Sequence, residues 1–146
     1  MRERDSAALA AITALLNRLA VATDRADAGE LAEIYYPDAA VRTPAWDADG
    51  HAQIIEKMRG NPDVDLGVTT VRHHLTTINI SLIGSDIADT QTYFMVVTDH
   101  GVDHTGVYYD RLRKNRRDHW RVAERRVKLN YRSGKSITKL LLAQNR

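Results

Sequence analysis

Asp24, His73 and His74 are the residues whose types could do chemistry together: one carboxylate, and about fifty residues later two adjacent imidazoles. A neutral imidazole takes a proton from carbon only when the correct ring nitrogen faces it. A carboxylate bonded to the other nitrogen fixes that tautomer and stabilises the imidazolium that forms. General base catalysis of this kind contributes roughly 10²–10⁴-fold. The chain has no cysteine, which removes thiolate nucleophiles, thiolate metal sites and disulfides together. The remaining chemistry suits proton abstraction followed by loss of water or halide, or a double-bond shift. The bland alternative is that Asp24 caps or ion-pairs at a helix end and the histidine is a hydrogen-bonded core residue.

Other side chains could serve a pocket. Trp46, Tyr93 and Tyr108 combine a ring that stacks with a polar handle, although core packing uses the same residues. Arg125, between Glu124 and Arg126, could hold an oxyanion or take part in a surface ion pair. Asp99-His100-Gly101-Val102-Asp103-His104 has the residue types of a metal site but no thiolate and no evident third partner. A solvated hairpin tip fits it better, and no metal is expected. Basic residues bunch between Arg111 and Lys128, yet Asp110, Asp118 and Glu124 dilute them and the densest part is a turn. A charged sheet edge that resists aggregation is the preferred reading over nucleic-acid binding.

These residues must be positioned by helices first and strands after. Residues 5–25 read as a helix capped by Asp5 or Ser6, with Ile12, Leu15, Leu16, Leu19 and Ala20 in one apolar stripe and Asp24 at its edge. Asp27-Ala28-Gly29 breaks it; Glu30 to Tyr36 forms a second helix, Ala39 to Thr43 a short strand, residues 44–50 a loop, and His51 to Arg59 a third helix. Four strands follow at residues 69–82, 87–98, 105–113 and 119–129, separated by short turns that imply antiparallel neighbours. A last helix is expected over 136–144. Simple alternation along the first long strand puts His74 with Ile78, Ile80 and Leu82, and His73 with Leu75 and Thr77. A bulge near Thr76-Thr77 would reverse that assignment.

With 146 residues, 43% hydrophobic and 27% charged, the chain is expected to form one globular domain spanning residues 1–146. No apolar run approaches the roughly 20 residues of a membrane span. The charged start, Met1-Arg2-Glu3-Arg4-Asp5, makes a poor signal peptide, so a cytoplasmic protein is expected.

Four segments in this order resemble the SnoaL-like branch of the nuclear transport factor 2-like superfamily. They are Ala22 to Asp27 with Leu31 to Ala39; Arg72 to Thr76 leading into Ile78 to Leu82; Gly106 to Leu112; and Trp120 to Arg125. The resemblance implies an α+β fold, a cone-shaped α+β barrel with N-terminal helices packed on a curved, mostly antiparallel sheet. Scytalone dehydratase, bile-acid 7α-dehydratase and hexachlorocyclohexane dehydrochlorinase, which look similar, pair an Asp ending the first helix with a His early in a central strand. By position these match Asp24 and His73, and Arg125 matches a basic residue of the last strand. The tyrosine that two of those enzymes carry near the Asp has no counterpart among Leu19, Ala20, Val21 and Thr23.

The resulting expectation is a cofactor-independent lyase or isomerase acting on a small hydrophobic, cyclic metabolite. His73 would be the base, Asp24 its orienter, and Arg125, Tyr108, Tyr93 and Trp46 the substrate contacts. A homodimer or homotrimer is expected, which the apolar tail Ile137 to Leu142 would suit unless it folds back on its own subunit. The rival readings are a non-catalytic binding module and the small subunit of a ring-hydroxylating oxygenase.

Overall fold

The computed structural model describes residues 2–143. Helix α1 (Glu3–Arg25) forms where Ile12, Leu15, Leu16 and Leu19 recur at helical spacing and bury one stripe. It starts at Glu3, ahead of the Asp5 or Ser6 cap expected; Arg2 occupies the cap position without a side-chain cap bond. It stops where Ala26 turns left-handed, at φ 50° and ψ 40°. The Ala26 N–H then donates to Thr23 O at 3.1 Å and the Asp27 N–H to Ala22 O at 3.0 Å. This closure usually falls to glycine; here an alanine makes it, before Gly29 is reached.

Asp27 caps α2 (Ala28–Ile34), its carboxylate accepting the Glu30 N–H at 3.1 Å. Tyr35 and Tyr36, expected to end that helix, instead open strand β1 (Tyr35–Arg42). A short strand, β2 (Asp47–Asp49), lies inside the expected loop, and α3 (His51–Arg59) follows as expected. The long strands are β3 (Val71–Ile83), β4 (Ile87–Thr98), β5 (Gly101–Lys114) and β6 (Trp120–Arg132), with α4 (Thr138–Ala143) last. Residue 144, and the packing of Leu141 and Leu142, fall outside the described residues.

The strands form one curled sheet in the order β2-β1-β6-β5-β4-β3, parallel between β1 and β6 and antiparallel elsewhere. Directly paired residues share a face, so the register lays the inner wall out in rows. His73, Val96 and His104 form one row; Ile78, Thr92, Tyr108 and Val127 another; Ile80, Thr90, Asp110 and Arg125 a third. Bulges in β3, β5 and β6 interrupt these rows and increase the curl.

The helices cover one end of the wall, where Ile12, Leu16, Leu19, Ile34, Ile54 and Leu112 share the main core. By length and composition α1 is apolar enough to cross a membrane, contrary to the expectation that no such run exists. In the fold its apolar stripe belongs to that core. Towards the other end of the wall, Phe94, Val96 and Tyr108 form a second, smaller cluster.

Candidate active site

The Ala26 turn leaves Asp24 on the last turn of α1, facing the start of β3. Its carboxylate accepts the His73 backbone N–H at 3.2 and 3.1 Å, and its Oδ1 lies 2.6 Å from His73 Nδ1. Both side chains are largely enclosed, at 9% and 20% exposure. With Nδ1–H given to the carboxylate, Nε2 is the nitrogen left to act on a ligand. Asp24 therefore fixes both the strand backbone and the ring it carries.

The choice between the two imidazoles is made by a bulge. Leu75 pairs with Phe94 and Thr77 with Tyr93, which leaves Thr76 as an extra residue whose hydroxyl donates to Tyr93 O at 3.2 Å. Thr76 and Thr77 are both exposed, so Val71, His73 and Leu75 face inward together with Ile78, Ile80 and Leu82, while His74 faces out. Simple alternation fails at the one point where the ladder slips.

Beside the pair lies a cavity of about 430 Å³ whose lining includes Asp24, His73, Trp46, Phe94, Tyr108 and Arg125. Tyr108 stacks on Phe94 with ring centroids 4.1 Å apart and planes at 10°. The Arg125 Cζ lies 3.9 Å from the Tyr108 ring centroid. Arg125 also donates from Nε and Nη2 to the two Asp110 oxygens, at 2.7 and 2.8 Å. Its charge is thus answered within the protein, and a ligand oxygen would meet the rest of the guanidinium. Burial works against the charged guanidinium, but Asp110 more than restores it and holds its pKa above the usual value. Burial pushes the Tyr108 phenol up, keeping it a neutral donor. Trp46 is carried by a turn in which Thr43 Oγ1 accepts the Ala45 and Trp46 N–H groups at 3.1 and 2.9 Å.

Tyr93 does not join them. It is 47% exposed and pairs with Thr77, across the sheet from the cavity, because it falls out of phase with Phe94 and Thr92. The bulge that turns His73 inward is the same irregularity that keeps Tyr93's partner outside.

Asp103 and His104 correct the expectation of a solvated tip. Asp99 and His100 do form the exposed turn, but Asp103 and His104 are both buried. Val96 pairs with His104 and Val97 with Val102, so Asp103 is an extra residue and two consecutive side chains turn inward. His104 Nδ1 lies 2.7 Å from Asp103 Oδ2, and His104 lines the same cavity as His73. An Asp-His dipeptide in a strand is the only trace of this in the sequence, and alternation would have put the two on opposite faces. Among the described residues no group of three or more His, Cys, Asp or Glu could hold a metal ion. The basic bunch is spread out, with Arg111 on Asp89, Lys114 on Asp118 and Arg121 on Glu33.

A family model for the SnoaL-like domain matches residues 4–126. No curated protein matches the chain. Among solved structures, one described as a scytalone dehydratase, from Novosphingobium aromaticivorans DSM 12444, superposes with a TM-score of 0.78 at 17% identity, covering 91% of each chain. Hexachlorocyclohexane dehydrochlorinase LinA-type3 from Novosphingobium barchaimii LL02 gives 0.74 at 17% identity, covering 89% of this chain and 91% of its own. A nuclear transport factor 2 (NTF2-like) superfamily protein from Salmonella enterica serovar Typhimurium LT2 gives 0.67 at 21% identity, covering 84% and 91%. Likeness at these identities establishes the fold alone.

Proposed function

This chain belongs to the SnoaL-like domain family, and from that membership we propose that it is a cofactor-independent lyase or isomerase. Its substrate is a small hydrophobic, cyclic metabolite. His73 Nε2 takes a proton from a ring carbon, and the pair of electrons left behind expels halide from the neighbouring carbon, or a hydroxyl that takes the proton from the His73 imidazolium and leaves as water. In a double-bond shift the imidazolium returns the proton to another carbon. Asp24 holds Nδ1–H and stabilises the imidazolium once it forms. Tyr108 and Arg125 hold an oxygen of the substrate, and Trp46 covers an apolar face. The enzyme works in the cytoplasm as a homodimer or homotrimer, with Tyr131 and Leu140, 54% and 41% exposed, available for subunit contact.

The observation that carries this reading is the 2.6 Å contact between Asp24 and His73 beside a cavity of about 430 Å³. The LinA-type3 dehydrochlorinase and the protein described as a scytalone dehydratase share this fold, which supports the elimination reading.

The test is proton exchange and elimination followed by NMR in D₂O, with a panel of cyclic β-hydroxy ketones and chlorinated cyclohexanes. The expected result is deuterium uptake or alkene formation, lowered roughly 10²–10⁴-fold by His73→Gln and also lowered by Asp24→Asn. Binding of panel compounds with no turnover by the parent protein would leave a binding module. Co-purification with a larger metal-bearing chain would favour the oxygenase subunit.

A further inference from the structure

The proposed elimination uses one Asp–His pair, yet a second pair, Asp103 with His104, places its imidazole in the wall of the same cavity. His104 lies in the same cross-strand row as His73, two strands away through Val96. At about 4.8 Å per strand the two backbones are roughly 10 Å apart, the span of a ring compound held between them. Asp103 is fully engaged: besides His104 Nδ1 it accepts the Ser136 hydroxyl at 2.6 Å and the Ile137 N–H at 2.9 Å. Burial alone would push its carboxyl up, but those donors outweigh burial and hold it below the usual value. An ionised carboxylate only accepts, so Nδ1 of His104 must carry the hydrogen.

Burial also pushes the His104 imidazole down, beyond what Asp103 restores, and the neighbouring His73 adds to the effect. The ring is therefore neutral near pH 7, and Nε2 is a lone-pair acceptor. Phe94 meets this ring edge-on, with centroids 5.9 Å apart and planes at 79°, which limits its rotation. The lining of this cavity includes the apolar Val71, Phe94, Leu129 and Ile137, and the Thr138 hydroxyl, also in the lining, is taken up by Ser136. An acceptor in such a wall discriminates strongly between ligands that bring a donor and ligands that do not.

We propose that His104 Nε2 accepts a hydrogen bond from a substrate hydroxyl, so that the substrate is a hydroxylated ring compound whose hydroxyl lies along the same wall as the carbon facing His73, two strands away. This rests on the preceding reading only in taking the cavity as the substrate site. His104 is then a specificity-determining residue, held in tautomer and orientation by Asp103.

The experiment compares β-naphthol with its O-methyl ether, which keeps the ring and loses the donor. Binding is measured by calorimetry for the parent protein, His104→Phe and His73→Phe, with circular dichroism to confirm folding. The expected result is about tenfold tighter binding of the naphthol, one hydrogen bond's worth, retained in His73→Phe and lost in His104→Phe. Long-range ¹H–¹⁵N NMR of the parent protein provides a reading that needs no variant: His104 should be the Nδ1–H tautomer, with its Nε2 resonance moving when naphthol binds. Equal binding of both probes, binding of neither, a preference abolished by His73→Phe instead, or a protonated Nε2 in the free protein would each overturn the proposal. Loss of turnover in His73→Gln concerns the elimination alone, so either idea can fail without the other.

Discussion

Arg125 shows how a residue can be found from sequence while its setting is not. Its place on the last long strand, between Glu124 and Arg126, is legible, and so is its value to a pocket. Its partner is not, because Asp110 meets it only through the β5–β6 register, fifteen positions away in sequence. The two are buried together, at 3% and 7% exposure, and Tyr108 closes over the guanidinium. Removing one member of such a pair leaves an uncompensated charge in the interior, which costs about 3–5 kcal/mol. Asp110→Ala should therefore lower unfolding stability by about that amount, read from urea midpoints at pH 7. The double replacement Asp110→Leu with Arg125→Met should recover most of the loss, since it removes both charges and keeps the volume. Recovery in the double variant would also separate a structural role for the pair from any role of Arg125 towards substrate, because ligand binding should stay weakened.

Among the elements, the helices and the four long strands were legible because apolar period and turn residues agree along most of the chain. What escaped were the alanine turn ending α1 and the bulge at Asp103, whereas the bulge at Thr76 lies where the sequence reading named one, between Leu75 and Thr77. The two bulges decide which of His73 and His74 faces inward and bring Asp103 and His104 into the interior. The entry into β3 is held by a device of another kind. Asp99, on the turn after β4, accepts the Thr69 N–H at 2.8 Å, the Thr69 hydroxyl at 2.8 Å and the Thr70 N–H at 2.7 Å. The Thr69 backbone and hydroxyl bonds, with Thr70, hold its carboxyl down to about 2. A carboxyl depressed in the folded state stabilises above its unfolded pKa of about 3.9, and that contribution fades as pH falls from there towards 2. Asp99→Asn should accordingly be less stable than the parent at pH 6, with the gap closing by pH 2, as read from paired urea titrations. A gap that stays constant with pH would show that the clamp acts through its shape and not its charge.

On the scale of the whole molecule, the α+β arrangement of helices on a curled sheet follows from the order of elements, but the way the cavity is finished does not. The tail offered two readings, subunit contact or return to its own chain. Ile137 returns: it is buried, lines the cavity, and donates its N–H to Asp103 at 2.9 Å. Ser136 adds its hydroxyl at 2.6 Å and meets Thr138 Oγ1 at 2.7 Å. One carboxylate on β5 thus joins the tail, the sheet and the second imidazole, so a change in the tail should be felt at the cavity wall. Ser136→Ala removes a donor from a buried carboxylate, an interaction worth about 1.5–3 kcal/mol when one partner is charged. The variant should lose roughly that much stability at neutral pH, and Asp103, with fewer donors, should titrate higher than in the parent. Because a depressed carboxyl stabilises only above its unfolded pKa, the deficit should shrink below about pH 3.9. The His104 ring resonances should move in the same variant while those of His73, anchored by Asp24 from the opposite side, stay near their parent positions. A uniform shift of both rings would mean that the tail supports the cavity as a whole and that Asp103 is no more than one of its fastenings.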